Sequence, residues 1–393
     1  MEEINIIIPC YKRSSELLCL LDSLKIQTNY AFRFKIWFFI DFSSKQTVVE
    51  ETIVGNITDM FNYEIVKRNE RYGLKANIIN SVSEVFKMTQ SDNVILLEDD
   101  LLISPSTFNF VQNCINTSIG RYKDIFGISL YSPSKNPWND IRVIHDSLEG
   151  FFLLKVPSSL GTLLFRDRWF EFTQKLDSNL ELKTQTSNGL IPSPINSWNR
   201  KNSWKAELIR FMISNNVYFL YPTISFTAHL SYNGTNVDLD ERNTNFNSTL
   251  SKEYNKYFFE SFDIDKLTRY DAFFEVLPDS FESVFDKSIT ENLAVDFYGL
   301  KSIDINHKYY LTSKEVNKSI ETFGFELEQP SKNIEYNIKG DFFKLTKSEN
   351  ITGESSLFKD AFFQANYSNK GRKALLKYVL LEFWKKCKSY FVN

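Results

Sequence analysis

Three consecutive carboxylates, Glu98, Asp99 and Asp100, are the side chains of this sequence best suited to chemistry. They follow the apolar run NVILL, which predicts a strand buried on both faces that ends in the acidic group. Adjacent carboxylates repel one another, and Mg²⁺ or Mn²⁺ is the obvious compensation, because both ions take oxygen ligands and share them with phosphates. We predict that Asp100 binds the cation and that Asp99 supports it or contacts the substrate. The alternative is that one of the three acids caps a helix and the other two are solvated.

A second set of candidates lies where the two preceding strands end. Arg68 and Arg71 surround the end of the strand YEIVKR, and Gly73 permits a tight turn beyond it. An arginine in this position can pair with phosphate groups. Asp41 ends the strand KIWFFID and could accept a hydrogen bond from a base or a ribose. The alternatives are a loop with solvated charges for the arginines and a turn residue for Asp41.

These residues are positioned by strands and helices that alternate along the chain. Strands are predicted at 4–8, 35–41, 63–68 and 93–97, and helices after a cap at Ser14 or Ser15, at 47–61 and at 75–88. Four such alternations favour a parallel sheet with right-handed crossovers. In open α/β sheets, ligands bind beyond the carboxyl ends of the strands, which is where the acidic group and Asp41 lie.

The alternation weakens toward the end of the chain. Further helices are predicted at 105–118 and 203–215, with strands at 126–132 and 217–222, but no clear pattern follows residue 245. We therefore divide the chain into two domains, 1–245 and 250–393. Within the second, 333–347 predicts a hairpin that turns at Lys339-Gly340.

Residues 370–390 predict a basic amphipathic helix at the end of the second domain. Apolar and aromatic side chains recur there at helical spacing between lysines, a pattern that suits an anionic bilayer surface. A helix that docks on its own domain is the alternative. The sequence therefore favours peripheral contact with a membrane.

Composition limits the classes of protein that remain. A net charge of −3 excludes the basic excess of a nucleic-acid binder. Four widely spaced cysteines without a CxxC pair argue against zinc and disulfide frameworks and favour reduced thiols in the cytoplasm. The acidic start MEEINIIIPC is not typical of a signal peptide, and no stretch approaches the roughly 18–20 apolar residues of a membrane span.

Four segments in order resemble one known family. IIIPCYKRSSELLCLLDSL, FFIDFSS, RNERYGLKANIINSV and ILLEDDLLISPSTFNFV are similar to family 2-type glycosyltransferases of the GT-A fold, within the branch that includes the animal Golgi N-acetylglucosaminyltransferase I. The resemblance covers about residues 3–240. It implies a Rossmann-like, mostly parallel sheet flanked by helices, a nucleotide-diphosphate sugar donor, a Mn²⁺ or Mg²⁺ ion and inversion at the anomeric carbon.

The resemblance also implies roles for individual residues. Those that match the nucleotide pocket are Pro9, Tyr11, Arg13 and, at the base, Asp41. Arg71 matches the basic residue near the diphosphate, and residues 98–100 match the EDD form of the DxD motif, whose last carboxylate holds the metal. His229 lies in a segment similar to the loop that closes over the diphosphate, where it could contact phosphate or metal. A hydrogen-bonded loop histidine is the alternative.

The acceptor side departs from the family pattern. A Trp-Asp pair usually opens the acceptor-side helix, whereas this sequence has Trp204-Lys205, and the nearest carboxylate is Glu207. An inverting transfer needs a base within hydrogen-bond reach of the acceptor hydroxyl, and we assign that role to Glu207. A solvated helix face or a lost base is the alternative. Trp204 could stack on a sugar ring, although buried tryptophans more often anchor a helix.

The sequence as a whole predicts an inverting, metal-dependent hexosyl- or N-acetylhexosaminyltransferase. Its donor would be a nucleotide sugar, with a UDP-sugar expected, and its acceptor a glycan or a lipid-linked glycan in bacterial surface polysaccharide or capsule synthesis. One rival is a sugar nucleotidyltransferase, which would need a Gly-rich loop that PCYKRSS lacks. The other is a non-catalytic glycan-binding or scaffold protein, which Lys205 keeps open.

Overall fold

The computed structural model describes residues 3–28, 31–57, 61–117, 119–139, 141–143, 150–178, 191–197, 203–230, 250–251, 259, 262–304, 306–353 and 380. The chain forms two compact units, Met1–Ser280 and Phe281–Asn393. The helix expected at 370–390 lies outside the described residues apart from Leu380. Within the described part of the chain, no helix is long and apolar enough to cross a membrane.

The first unit begins with the expected alternation of strands and helices. Its first elements are β1 (Glu3–Cys10), α1 (Ser14–Lys25), β2 (Arg33–Ile40), α2 (Gln46–Asn56), β3 (Asn62–Lys67), α3 (Gly73–Thr89) and β4 (Asn93–Leu96). β1 pairs in parallel with both β2 and β4, and β3 pairs in parallel with β2. The prediction of an α/β unit around parallel strands is confirmed.

The later elements widen this sheet to nine strands. They are β5 (Leu101–Ile103), α4 (Thr107–Asn116), β6 (Ile125–Ser129), β7 (Phe151–Leu154), β8 (Thr162–Phe165), α5 (Arg166–Ser178), α6 (Ser193–Ser197), α7 (Trp204–Asn215), β9 (Tyr218–Pro222), β10 (Thr227–His229) and β11 (Arg269–Tyr270). The strand order is β11-β7-β9-β6-β8-β4-β1-β2-β3, and β8 is antiparallel to β4 and β6. β5 and β10 form a separate antiparallel pair.

Apolar burial on both faces holds β1 in the interior of the sheet, between β4 and β2. Its residues from Ile4 onward are buried, as expected for a strand covered by helices on each side. α1 covers one face with Leu17, Leu20, Leu21 and Leu24, each worth roughly 1.5–3 kcal/mol on burial. Leu18 of the same helix is 36% exposed.

The first residues of α1 and α7 differ in how the helix N-terminus is capped. α1 begins at Ser14 without a side-chain cap, and Ser15 Oγ donates instead to Glu16, so the predicted serine cap is wrong. The chain enters this helix directly from Arg13, leaving both serines inside the first turn. At α7, Ser203 Oγ accepts a hydrogen bond from Ala206 N at 3.1 Å, so Ser203 is the N-cap of this helix.

The first unit extends beyond residue 250, where the sequence suggests a boundary. β11 pairs in parallel with β7 at the edge of the nine-stranded sheet, and this pairing carries the unit on to Ser280. The sequence gives little sign of this because β11 has only two residues. The division of roles between a catalytic and an accessory domain stays a prediction.

The second unit has a small mixed sheet. Its elements are α8 (Lys287–Thr290), β12 (Leu293–Asp296), β13 (Tyr309–Thr312), β14 (Glu321–Phe323), α9 (Pro330–Glu335) and β15 (Phe343–Lys347), and its strand order is β12-β13-β15-β14. The predicted hairpin at 333–347 is wrong. Pro330 starts a helix there, and Asn333 Oδ1 accepts hydrogen bonds from Glu326 N and Leu327 N, which fixes the preceding chain.

Candidate functional site

The candidate site is built where four parallel strands end at one edge of the sheet. The β-ladder continues for one residue past the strands, because Leu97 N donates to Ile7 O and Asp41 N donates to Cys10 O, each at 2.9 Å. The strand order 3-2-1-4 places a topological switch between β1 and β4, and ligands of open α/β sheets bind at such a point. Residues that follow β1, β2 and β4 therefore share this edge.

Asp99 and Asp100 meet the loop that follows β1. Asp99 Oδ2 accepts a hydrogen bond from Tyr11 N at 3.1 Å, and Arg13 Nη1 lies 3.5 Å from Asp99 Oδ1. The same Arg13 nitrogen donates to Asp100 Oδ2. Burial raises the pKa of Asp99, and the charge of Arg13 opposes that rise. The structure brings Tyr11, Arg13, Asp99 and Asp100 together, with Arg13 in contact with the acidic group itself, and their roles in binding nucleotide and metal stay predictions.

His229 reaches Asp100 through the small antiparallel sheet. The register of β10 and β5 places His229 opposite Leu101, the residue after Asp100. As a result, His229 Nε2 lies 3.1 Å from Asp100 Oδ2, and Leu230 N donates to Asp100 O at 2.8 Å. Burial lowers the pKa of His229, which favours the neutral imidazole that binds metals.

The environment of Asp100 fits a divalent cation that shares its ligands with a phosphate. Asp100 Oδ1 is buried and has no hydrogen-bond partner, while Nε2 of His229 faces the other oxygen. Within the described residues, no three His, Cys, Asp or Glu side chains converge on one point. Mg²⁺ sites of phosphate-binding enzymes use only one or two protein carboxylates and take the remaining ligands from phosphate and water. Asp100 and His229 are the donors that could hold such an ion.

Asp41 holds the start of α3. Its Oδ1 accepts from Tyr72 N at 2.8 Å and from Phe42 N at 2.9 Å, and its Oδ2 accepts from Gly73 N at 2.9 Å. Gly73 has φ +73°, which permits this sharp entry to the helix. A carboxylate at a helix N-terminus is stabilised by the free backbone N–H groups. The contact with a base stays a prediction for Asp41, whose observed role is to fix the loop that carries Arg71.

The two candidate arginines differ sharply in their surroundings. Arg68 is 7% exposed and donates to Glu84 at 2.9 Å, to Asn77 at 3.2 Å and to Ser81 at 3.2 Å. Its guanidinium group is therefore engaged within the protein, and a phosphate role for Arg68 is wrong. Asn77, Ser81 and Glu84 recur at helical spacing, so this polar stripe was a sequence signal for a buried partner.

Arg71, in contrast, is exposed and lies beside the loop that follows β1. Its guanidinium carbon is 5.1 Å from the centroid of the Tyr11 ring, a distance compatible with a cation–π contact. Lys12 Nζ lies 4.8 Å from the same centroid. Arg71 and Lys12 therefore lie next to Tyr11, whose backbone N–H donates to Asp99. Together these two residues form a basic rim beside the acidic group.

Pro9 and Trp204 lie inside the protein. Pro9 is a buried residue of β1 opposite Phe39 of β2, and the Trp204 side chain is 2% exposed. A tryptophan so deeply buried offers no ring face to a sugar, so the stacking expected of Trp204 is wrong and the helix-anchoring alternative fits. Pro9 supports the strand from which Tyr11 and Arg13 emerge.

Glu207, the predicted base, pairs with a lysine. Its side chain is 4% exposed, and its Oε1 lies 3.7 Å from Lys75 Nζ, which joins α7 to the first turn of α3. Lys205, the neighbouring cation of α7, interacts electrostatically with Glu98. Burial lowers the pKa of Lys205, and the negative charge of Glu98 opposes this decrease. Burial and the charge of Asp99 raise the pKa of Glu98 to about 7. Sequence reasoning missed Lys75, whose distance in the chain from Glu207 gives no signal.

Comparison with known proteins gives structural similarities only. No protein-family profile and no curated protein matches the sequence at a significant level. Among solved structures, the chain is similar to the mannosyltransferase PcManGT from Pyrobaculum calidifontis in complex with GDP-Man and Mn²⁺, at 12% identity and a TM-score of 0.33 over 44% of this chain and 46% of that one. At such values the similarity does not by itself assign an activity.

Two further solved structures are similar at the same level. TarS residues 1–349 from S. aureus match at 13% identity and a TM-score of 0.32, over 57% of this chain and 60% of that one. GalNAc-T7 with UDP, GalNAc and Mn²⁺ matches at 12% identity and a TM-score of 0.37, over 57% of this chain and 43% of that one. Each match thus spans less than two thirds of the other protein.

Proposed function

We propose that this protein is a glycosyltransferase that takes a sugar from a nucleotide-diphosphate donor at the carboxyl edge of β1 and β4. The observation that carries the proposal is Asp100, whose buried Oδ1 has no hydrogen-bond partner and whose Oδ2 lies 3.1 Å from His229 Nε2. Arg71 and Lys12 lie beside Tyr11 at the rim of this site. A cation held by Asp100 and His229 would neutralise the charge that develops on the departing diphosphate. The resemblance to the N-acetylglucosaminyltransferase I branch stays a prediction.

The protein's own groups divide the recognition of the donor between them. Arg71 is exposed on the rim and supplies a guanidinium group that can bind the diphosphate in two parallel hydrogen bonds. Tyr11 lies between Arg71 and Asp99 and would border the nucleotide. Asp99 is held by Tyr11 N and positions Asp100, while Asp41 fixes the loop before α3.

The proposed reaction is one direct displacement. The acceptor hydroxyl oxygen forms a bond to the anomeric carbon, the bond from that carbon to the diphosphate oxygen breaks, and its electron pair leaves with the diphosphate. The hydroxyl proton passes to a base, for which Glu207 is the proposed residue, and the configuration inverts. Because Glu207 is buried beside Lys75, this role requires the acceptor to reach the carboxylate between α3 and α7.

The proposal also includes the acceptor and a contact with the membrane. The acceptor is a glycan or a lipid-linked glycan of bacterial surface polysaccharide synthesis, and the segment 370–390 contacts the membrane surface. A non-catalytic glycan-binding protein is the second candidate, since Lys205 replaces the expected Asp and Glu207 is paired with Lys75.

Thermal stability of the purified chain with a panel of nucleoside diphosphates, with and without Mn²⁺, tests the proposal. A ligand at 100 times its Kd stabilises a folded protein by about 2.7 kcal/mol. We expect a metal-dependent rise with one nucleotide, lost in Asp100→Asn. The matched control is Asp92→Asn, an exposed residue just before the amino end of the same strand, which should respond like the parent.

Two outcomes decide between the candidate functions. Release of nucleoside diphosphate from a nucleotide sugar in the presence of Mn²⁺ would support the enzyme over the glycan-binding protein. The absence of any nucleotide-dependent rise in melting temperature would overturn the donor site.

A further inference from the structure

The guanidinium group of Arg13 contacts the carboxylates at which the proposed cation would bind. Its Nη1 donates to Asp100 Oδ2 and lies 3.5 Å from Asp99 Oδ1, so one guanidinium group spans both carboxylates. The same Asp100 oxygen lies 3.1 Å from His229 Nε2. A cation that used this oxygen would meet the positive charge of Arg13 at close range.

Backbone hydrogen bonds anchor the segment that carries Asp99 and Asp100, whereas the guanidinium group of Arg13 is held by its contacts with these two carboxylates. Tyr11 N donates to the Asp99 carboxylate, and Leu230 N donates to the Asp100 carbonyl group. The side chain of Asp100 is 3% exposed and that of His229 is 10% exposed, but that of Arg13 is 23% exposed. Arg13 is therefore the member of the group that can move into solvent without unfolding a strand.

Asp100 keeps binding capacity while Arg13 is in place. Its second oxygen, Oδ1, is buried without a hydrogen-bond partner, so the ion pair leaves half of the carboxylate unsatisfied. A carboxylate paired only for structural reasons would be expected to have both oxygens satisfied, because an unsatisfied buried acceptor is costly. The arrangement thus favours replacement of Arg13 by a better ligand.

We propose that Arg13 is an internal countercation that holds the site closed to free divalent cations and moves from Asp100 to the donor diphosphate when nucleotide and metal arrive together. Arg13 is thus a positioning residue that couples metal binding to donor binding. This inference rests on the proposed cation site at Asp100. It adds that the metal-free site is blocked by the protein itself.

Arg13→Gln should open the site to metal in the absence of nucleotide. An arginine beside a carboxylate weakens its affinity for a proton by about 10- to 1000-fold, and a cation that binds the same oxygens should be weakened in the same direction. Free Mn²⁺ measured by electron paramagnetic resonance gives its affinity for the full chain directly. We expect Arg13→Gln to bind Mn²⁺ about tenfold or more tightly than the parent.

Three controls separate this effect from a general change in charge. Arg33→Gln removes the same charge at the amino end of β2, where the side chain is exposed, and should bind Mn²⁺ like the parent. Arg13→Gln with Asp100→Asn should lose the tight site. Millimolar guanidinium ion should fill the space left by Arg13 and return Mn²⁺ affinity of Arg13→Gln toward the parent value, which a loss of structure would not produce.

The outcomes distinguish this inference from the proposed function. Equal or weaker Mn²⁺ binding by Arg13→Gln, while the parent binds through Asp100, would overturn the inference and leave the cation site standing. Absence of Mn²⁺ binding by every variant would overturn both. If Arg13→Gln unfolds in metal-free buffer, recovery of its fold by Mn²⁺ or guanidinium supports the inference, and failure to recover with either ion overturns it.

Discussion

Among the residues that the structure describes, each unit contains a buried aspartate paired with a cation, Asp100 in the first unit and Asp296 in the second, and the two pairs are built differently. In the second unit, Asp296 Oδ1 accepts from Lys301 N at 2.9 Å, and its Oδ2 lies 3.0 Å from Lys314 Nζ and 3.5 Å from Thr312 Oγ1. In the first unit, Asp100 has one oxygen paired with Arg13 and the other without a hydrogen-bond partner. Both carboxylate oxygens of Asp296 thus have partners, whereas only one of the two oxygens of Asp100 does. We call the Asp296 pair closed and the Asp100 pair open.

The cations differ in the same way. Lys314 is 6% exposed in its side chain, and its ammonium group also donates to Lys301 O. Arg13 is 23% exposed and can regain water on leaving Asp100. A closed pair with satisfied oxygens contributes to the fold, whereas an open pair that leaves an acceptor unused is suited to exchange with a ligand. Predictions for the two aspartates should therefore diverge.

The largest effect is expected in the second unit. Asp296→Asn leaves the Lys314 charge buried without its partner, and breaking a buried ion pair costs about 3–5 kcal/mol. Urea unfolding followed by circular dichroism should show a lower midpoint for Asp296→Asn. Asp341→Asn, at a side chain that is 80% exposed, is the matched control and should be nearly neutral. Equal midpoints for the two variants would contradict the closed pair.

A pH dependence is expected from the open site. The pKa of Glu98 is raised from 4.5 to about 7, first by burial and then by the charge of Asp99. The folded chain therefore binds more protons than the unfolded chain between these pH values, so this carboxyl group lowers stability as pH rises from 4.5 toward 7. The variant Glu98→Gln should therefore lose less stability than the parent as the pH rises.

Unfolding of parent and Glu98→Gln in metal-free buffer between pH 5 and 8 measures this effect. We expect the variant to gain stability relative to the parent as the pH rises. Parallel curves for the two proteins would show that Glu98 is ionised throughout.

The smallest effect on stability is expected at Asp100. In Asp100→Asn, Arg13 keeps Asp99 within 3.5 Å and remains partly hydrated, so the free energy of unfolding should fall by less than it does in Asp296→Asn. Urea unfolding of this variant, compared with Asp296→Asn, tests the contrast directly. A loss at Asp100 as large as that at Asp296 would make both pairs structural and remove the basis for a ligand site.

The first part of the first unit, from β1 to β4, was predictable from sequence because its signals are local. Apolar runs and helical spacing identified β1 to β4 and the helices between them within a few residues, and the acidic group was correctly placed at the end of β4. The second unit was not predictable. Its sheet pairs β15 with both β13 and β14, which are separated from it in the chain by other elements, and the helix at Pro330 takes the place of a predicted strand.

Sequence alone determined which residues stand at the carboxyl edge of the sheet, since strand periodicity and parallel order fix where each strand ends. Tertiary structure decided what they do there. It buried Trp204 and enclosed Arg68 against Glu84, and it left Arg71 exposed. It also brought Arg13 to Asp100, 87 positions apart in the chain. Such contacts depend on register and side-chain packing between distant elements, which leave no periodic trace in the sequence.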